Sequence, residues 1–553
     1  MRARGSLLPA VLLLLGLILY LPTLRIGFLT DDFLDIQTDL SNAAQAFTGM
    51  SSSGYRPLMS YSWALDNAVW GVGRPWGWHL TNLMILALTL LSLAFFLRLF
   101  VTDGTALAAG LALFAFSSPV LVSVAKMDWR TSILPVIPLL WSLYYCVRYS
   151  RGGGRTHLAS SVLLLLISVF LKEIALAIPP AFALLAWSES QEGQRRRKTV
   201  QVLAASGLAV VLYLAARYMA VGLSTGYSES SAFGFFMARN ILTHLGTVLS
   251  PWTEGLPARV LLPLLLLFLW LLPATTERKV FIAAFSFFSL FTVSNLPPRT
   301  DYAVAAVPAF SLAAALLIQE KGRMKGILPA VLLVIGAMFL NSLDQRKTIQ
   351  DASSTVEEAT GRIAAISDSL PGTGPVFIHW DAPERGGYGT FWPGEFMMPL
   401  RASGYDTERL VAGADRIWDL LLEHEGNGHL VFLMEEGFRD YPVSLLMYEE
   451  LPDTTVFIQG CSTAGELIRY PSCTGTSPVA SLCLYCPSLC DTLLRMEPKD
   501  IDGQFFFDLA SQPVWLSADE GLVMLYEGEL TFTSLNVSLD EAIRRVEMKR
   551  LHL

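Results

Sequence analysis

Asp31 and Asp32 stand side by side in Gly27-Phe28-Leu29-Thr30-Asp31-Asp32-Phe33, just past the first apolar run of a chain rich in such runs. Paired carboxylates at a membrane exit suit general-base chemistry: one takes a proton from an attacking hydroxyl while nearby cations neutralise an anionic group that leaves. The remaining candidates are Asp35, Arg56, His79, Arg130, Lys172, Glu173 and Arg299, which the topology below collects on the same side. Each has an ordinary reading beside the chemical one. Thr30-Asp31-Asp32 suits a helix cap, Arg56 before Pro57 a surface turn, His79 an interfacial anchor, and Arg130 beside Trp129 a snorkelling pair. Arg299 after Pro297-Pro298 is equally ordinary. Lys172-Glu173 as a structural ion pair leaves unexplained why two charges sit in the middle of an apolar run.

The elements that hold these residues are membrane helices. The chain has 553 residues, 53% hydrophobic and 16% charged, with positive mean hydropathy, which excludes an ordinary soluble enzyme. A formal charge of −8 with dispersed arginines excludes nucleic-acid binding. The start, Met1-Arg2-Ala3-Arg4 and an apolar run from Leu7 to Leu24, is too long for a signal-peptide core and has no Ala-x-Ala site, so it reads as a retained span. Apolar windows fall near 7–24, 79–100, 105–125, 132–149, 158–171, 174–188, 199–221, 258–273, 280–296, 302–318 and 326–343, about eleven spans.

Basic connections set the orientation. Arg148, Arg151 and Arg155; Arg195, Arg196, Arg197 and Lys198; Arg278 and Lys279; and Lys321, Arg323 and Lys325 all fall on the cytoplasmic face if the N-terminus is inside. The stretch 228–257 then begins and ends outside and reads as an interfacial or re-entrant helix. Between Arg155 and Arg195 the apolar run is broken only by Lys172-Glu173. Two cytoplasmic flanks demand a hairpin, and legs of about 14 residues, about 21 Å, fall short of about 30 Å of hydrocarbon. The Lys172-Glu173 turn therefore belongs below the outer surface, inside protein or a wet cavity.

An ordered set of motifs carries a resemblance. After the acidic pair come Tyr55-Arg56-Pro57-Leu58, Leu65-Asp66, Gly71-Val72-Gly73-Arg74-Pro75, His79-Leu80-Thr81-Asn82-Leu83, Leu171-Lys172-Glu173 with Pro179, and Tyr213-Leu214-Ala215-Ala216-Arg217. Over roughly residues 1–310 this resembles the GT-C glycosyltransferases, and within them the protein O-mannosyltransferase-related branch that includes the TMTC proteins. Where that branch carries Glu-Ala-Val and Gly-Arg-x-Asp, this chain reads Ser123-Val124-Ala125 and Trp129-Arg130-Thr131-Ser132, keeping the arginine and losing two acids. An apolar residue near Leu86 replaces a histidine, and of Glu-Arg-x-x-Tyr only Arg299 and Tyr302 remain.

The resemblance implies transfer of a sugar from a polyprenyl-phosphate carrier to an acceptor hydroxyl, protein or glycan, with inversion. Asp31 or Asp32 would be the base. Arg56, His79, Arg130, Lys172, Glu173 and Arg299 would serve the donor phosphate and sugar. No metal is expected, although two loop acids do not by themselves decide against a divalent ion. The alternatives are a polyprenyl-linked glycan ligase or polymerase for surface polysaccharide, and a transporter or flippase with charges along its path. A bacterial inner membrane fits the compact loops, and an endoplasmic reticulum membrane stays open.

The expected fold is mainly α: a polytopic bundle over 1–343 with its catalytic loop at 25–78, then a soluble extracytoplasmic α/β domain over 344–553. In that domain strands are expected at Pro375–Trp380, His429–Met434, Thr454–Gln459 and Leu522–Tyr526, and helices near 354–369, 408–424 and 442–450. No period of about 34 residues marks TPR repeats. Cys461, Cys473, Cys483, Cys486 and Cys490 cluster here, with disulfides expected and a four-cysteine zinc site as competitor; Cys146 reads as packing. Trp380-Asp381 and the aromatics of 388–395 are candidates for stacking on sugars, or for a packed loop.

Overall fold

The computed structural model describes residues 14, 16–29, 32, 46–48, 54–222, 235–253, 256–294, 299–319 and 327–369, together with short strands beyond. The chain divides into two compact units, Met1–Thr355 and Val356–Leu553.

The first unit is a helical bundle. Its helices are α1 (Pro57–Trp70), α2 (Pro75–Leu97), α3 (Gly104–Ala115), α4 (Ser118–Ala125), α5 (Arg130–Ile133), α6 (Val136–Ser150), α7 (Arg155–Leu171) and α8 (Pro179–Glu189). They are followed by α9 (Arg195–Val221), α10 (Phe235–Val248), α11 (Ala258–Leu271), α12 (Thr276–Phe291), α13 (Val307–Gln319) and α14 (Ile327–Ser369). Proline supplies the first turn of α1, α2, α4 and α8, where a missing N–H costs nothing. Asp103 caps α3 by accepting the Thr105 N–H at 2.6 Å.

Among the described residues four helical segments are long and apolar enough to cross a bilayer: Pro75–Leu97, Arg130–Ser150, Glu192–Val221 and Thr300–Gln319. The pair α3 and α4, bent by 54°, makes up to five if it counts as one span. This falls below the eleven apolar windows of the sequence. Hydropathy marks every apolar run, whereas several of these runs form helices too short to qualify, such as Arg155–Leu171 and Arg259–Leu271. The first window lies partly outside the described residues.

Helix α13 is wholly buried along its apolar window. A methyl on Gly110 of α3 would meet the Ser311 carbonyl of α13 at 2.8 Å, so the bare backbone permits this close crossing. Helix α14 holds the start of the chain in place. Arg346 donates to the Leu19 carbonyl at 2.9 Å, Gln350 to the Pro22 carbonyl at 3.1 Å, and the Gly27 N–H to Ser353 Oγ at 2.7 Å. The Tyr20 hydroxyl donates to the Ala115 carbonyl at 2.6 Å from the other side. The segment leading to Asp32 is thereby fixed on two faces.

Helix α14 carries on past residue 343 without a break and includes the helical stretch read at 354–369. In the second unit β1 (Val376–Trp380) lies parallel to both β2 (Leu410–Ala412) and β3 (His429–Met434), and β3 is antiparallel to β4 (Gly437–Pro442). A further strand pair, Thr455–Gln459 with Ser481–Tyr485, is parallel. Leu410–Ala412, read from the sequence as part of a helix over 408–424, is a strand: it pairs with β1, and tertiary pairing outweighs local propensity. Pro442 likewise ends a strand where a helix over 442–450 was expected. Cys461, Cys473, Cys486 and Cys490, the aromatics of 388–395 and the strand at 522–526 lie outside the described residues.

Candidate active site

Asp32 is fully buried and both its carboxylate oxygens are engaged. Oδ2 accepts the Leu29 N–H at 2.8 Å, closing a tight turn, and Oδ1 accepts the Asp128 N–H at 2.7 Å. Burial raises its pKa first and the Asp128 charge second, against the pull of Lys126 and of the two N–H donors. Asp32 thus ties the segment after the first apolar run to the stretch Lys126-Met127-Asp128-Trp129-Arg130. Asp31 and Asp35 lie outside the described residues.

That stretch is the hub. Lys126 Nζ is 3.5 Å from Asp128 and 4.9 Å from the centre of the Trp129 ring. Arg299 stacks on the same indole at 4.9 Å and on Tyr302 at 5.0 Å, while its Nε donates to Asp301 at 3.1 Å. Asp301 accepts the Ser132 hydroxyl at 2.8 Å and faces Lys172 Nζ at 3.7 Å. Lys172 donates to Ser132 Oγ at 2.6 Å and lies 5.0 Å from the Tyr302 ring. From Asp32 to Lys172 the contacts run without a gap.

Lys172 sits in the turn between α7 and α8, and only 3% of it is exposed. Burial pulls its pKa down to about 7, Asp301 works against that, and Arg56 and Arg299 add to it. The neighbouring Glu173 binds Arg56 through Oε2 at 2.9 Å. Gly54, at φ 125°, brings the chain so close that a Cβ would meet Glu173 Oε1 at 3.0 Å, and few side chains adopt that φ. Behind this pair, Phe170 packs on Tyr55 and Tyr213, and the Tyr213 hydroxyl donates to the Tyr55 carbonyl at 3.0 Å.

Arg130 and His79 are both buried. Arg130 is fully buried: it reaches Asn82 Oδ1 at 2.5 Å, Asp66 Oδ2 at 2.5 Å, the Trp78 carbonyl at 3.0 Å and Ser62 Oγ at 3.3 Å. It locks α1 to α2 beneath the hub. His79 is buried at the start of α2. It faces the backbone of Ile26, Gly27 and Val124. Both position the hub from behind.

Sequence reading gave no role to Lys126, Asp128 or Asp301. The density of charge in Lys126-Met127-Asp128-Trp129-Arg130, at the end of an apolar run, is the signal for the first two. The closeness of Asp301 to Arg299 is the signal for the third. Among these ionic groups Arg299 has the most open side chain, 39% exposed, against 16% for Glu173 and 6% for Arg56. Among the described residues no cluster of three or more His, Cys, Asp or Glu is arranged to hold a metal ion.

No family model matches the chain, and no curated protein matches it in sequence. Solved structures overlap it in outline. ArnT from Cupriavidus metallidurans bound to undecaprenyl phosphate is 12% identical, with a TM-score of 0.47 over 76% of this chain and 92% of that chain. The Archaeoglobus fulgidus oligosaccharyltransferase tethered with an acceptor peptide is 12% identical, with a TM-score of 0.40 over 72% of this chain and 63% of that chain. The mannosyltransferase-related branch gains nothing from them. At this overlap and identity the likeness carries no argument about activity.

Proposed function

We propose that the chain is an integral membrane glycosyltransferase that moves a sugar from a polyprenyl-phosphate donor to an acceptor hydroxyl at the outer face. The observation that carries this reading is the run of contacts from Asp32 to the Asp128 N–H, on through Trp129 to the Arg299 stacked on it, and by ion pairs through Asp301 to Lys172. It unites two sequence features that have no reason to meet unless they serve one site.

Asp32, with both oxygens committed to backbone N–H groups, is the positioning acid, and Asp31 is the base. In the reaction the acceptor oxygen bonds to the anomeric carbon, the bond from that carbon to the phosphate oxygen breaks, and the hydroxyl proton passes to Asp31. The phosphate leaves with the electron pair. Arg299, the most exposed cation of the hub, receives the growing charge first, and Lys172 reinforces it from a site poor in water. Asp301 holds both cations at one distance, and Arg56 with Glu173 fixes the Lys172 turn. Arg130 and His79 act from behind, through α1, α2 and the segment entering the acidic turn.

The short apolar helices are read as tilted or partial crossings completing about eleven spans, with the N-terminus cytoplasmic. The region 344–553 is read as an outer domain that helps select the acceptor, its cysteines paired as disulfides. The test is mass analysis of surface glycans and glycoproteins from cells lacking the chain, complemented with wild type, Asp31→Asn or Lys172→Met. Wild type restores a sugar-sized mass increment and neither variant does. Restoration by both variants overturns the reading.

A further inference from the structure

A second cluster of charges lies at the other end of the bundle. Helix α7 runs from Arg155 to Leu171, so about 25 Å of helix separates this end from Lys172. Here Glu189, at the end of α8, has a side chain only 3% exposed. Its Oε2 accepts Arg151 Nε at 2.9 Å and Nη2 at 2.6 Å, and its Oε1 accepts Arg278 Nε at 2.8 Å. Both guanidinium groups also lie over the Phe100 ring, at 5.6 and 5.5 Å.

Two cations sharing one carboxylate leave one unit of positive charge, and it is accessible: the side chains of Arg151 and Arg278 are 36% and 31% exposed. Arg278 spends only its Nε on Glu189, so the outer edge of its fork points elsewhere. Exposed apolar side chains flank the junction between α11 and α12. Trp270 is 74% exposed and Val280 45%, and Lys279 Nζ donates to the Trp270 carbonyl at 2.8 Å. A tryptophan at the border of apolar and basic surface is the mark of a headgroup boundary.

We propose that Arg151 and Arg278, held by Glu189 and Phe100, seat the headgroup of an anionic phospholipid. Charge complementarity, and the exposed Trp270 at the same junction between α11 and α12, select a lipid over a soluble anion. The seat does not depend on the transfer reading, because the measurement is lipid retention.

The full-length chain is purified in mild detergent with equal phosphatidylglycerol and phosphatidylcholine, and retained lipid is counted by native mass spectrometry. Wild type keeps phosphatidylglycerol in excess. Arg278→Gln leaves the Arg151–Glu189 pair intact and neutral, and lowers that excess about fivefold, the worth of one basic residue near a headgroup. Arg196→Gln with Arg197→Gln, exposed and outside the clamp, removes no part of the seat and lowers the excess less than Arg278→Gln does. Added inorganic phosphate does not displace the lipid. Equal retention of both lipids by wild type, an unchanged excess in Arg278→Gln, an equal loss in the Arg196/Arg197 variant, or displacement by phosphate overturns the seat. Should Arg278→Gln fail to fold, the triple variant Arg151→Gln, Glu189→Gln, Arg278→Gln removes the buried acid together with its partners, and the same loss is expected of it.

Discussion

The two ends of the bundle treat the same residue types in opposite ways. At the Lys172 end the ionic side chains are buried and bound into one another: Lys126, Lys172 and Arg130 are each exposed by 5% or less, and each has a carboxylate within 4 Å. At the Glu189 end the arginines are half-exposed, and Arg195 with Glu277 forms only a loose pair at 3.8 Å. Burying ions is costly unless each is paired and hydrogen-bonded. At the Glu189 end the arginines stay partly open, although Glu189 itself and Lys198 are buried there. Exposed basic residues at this end cost little.

The largest expected contrast lies in turnover. Asp31→Asn and Lys172→Met each lower the rate about 10²–10³-fold, the scale of losing one group that stabilises developing charge. Single-turnover measurements should put the loss in the chemical step and leave donor binding nearly intact. Next is stability. Arg130→Ala strands Asp66 in a buried site and destabilises by about 3–5 kcal/mol. Arg130→Met with Asp66→Leu recovers most of that, as urea unfolding of the detergent-solubilised chain would show.

Asp32→Asn separates the two aspartates. An amide offers one acceptor where the carboxylate offered two, so either the Leu29 or the Asp128 N–H loses its partner, at about 1–3 kcal/mol. Rate and thermal midpoint fall together in this variant, whereas in Asp31→Asn the rate falls alone. If Asp31→Asn also lowers the midpoint, the division of roles between them is wrong.

The pH dependence separates function from stability at a single residue. Lys172, with a pKa pulled down to about 7, is charged below that pH and neutral above it, so its help to a leaving phosphate fades as pH rises through 7. The rate should drop about fivefold between pH 7 and pH 8. Stability moves the other way. An unfolded lysine holds its proton up to about pH 10.4, so between the two values the unfolded chain binds more protons and folding gains with pH. Lys172→Met should remove both trends. The smallest effect is expected at the exposed end, where Arg196→Gln with Arg197→Gln changes stability by less than about 0.5 kcal/mol.

Much of the site was legible because membrane sequences punish charge. Lys172 and Glu173 inside an apolar run stood out against their surroundings, whereas Arg56 before a proline and Arg299 after Pro297-Pro298 read equally well as ordinary; the structure joins Arg56 to Glu173 and Arg299 to Lys172 through Asp301. The role of Arg130 was not legible, because its partners Asp66 and Asn82 come from two other segments and only tertiary contact selects them. The two backbone donors of Asp32 cannot be read from a side-chain pattern either. The fold was legible as a helical bundle, and the bend between α3 and α4 was not, since hydropathy gives no warning of it. The strand at Leu410–Ala412 shows the same limit in the second unit, where pairing with β1 decides the conformation.

The most direct test compares the two ends in one assay. Cells lacking the chain are complemented with Lys172→Met or with Arg196→Gln plus Arg197→Gln, at matched membrane abundance, and their surface glycans and glycoproteins are weighed by mass spectrometry. The buried end is predicted to be the working one: Lys172→Met loses the sugar-sized increment, and the exposed-end variant keeps it. An increment that survives Lys172→Met, or one lost only from the exposed-end variant, contradicts the assignment.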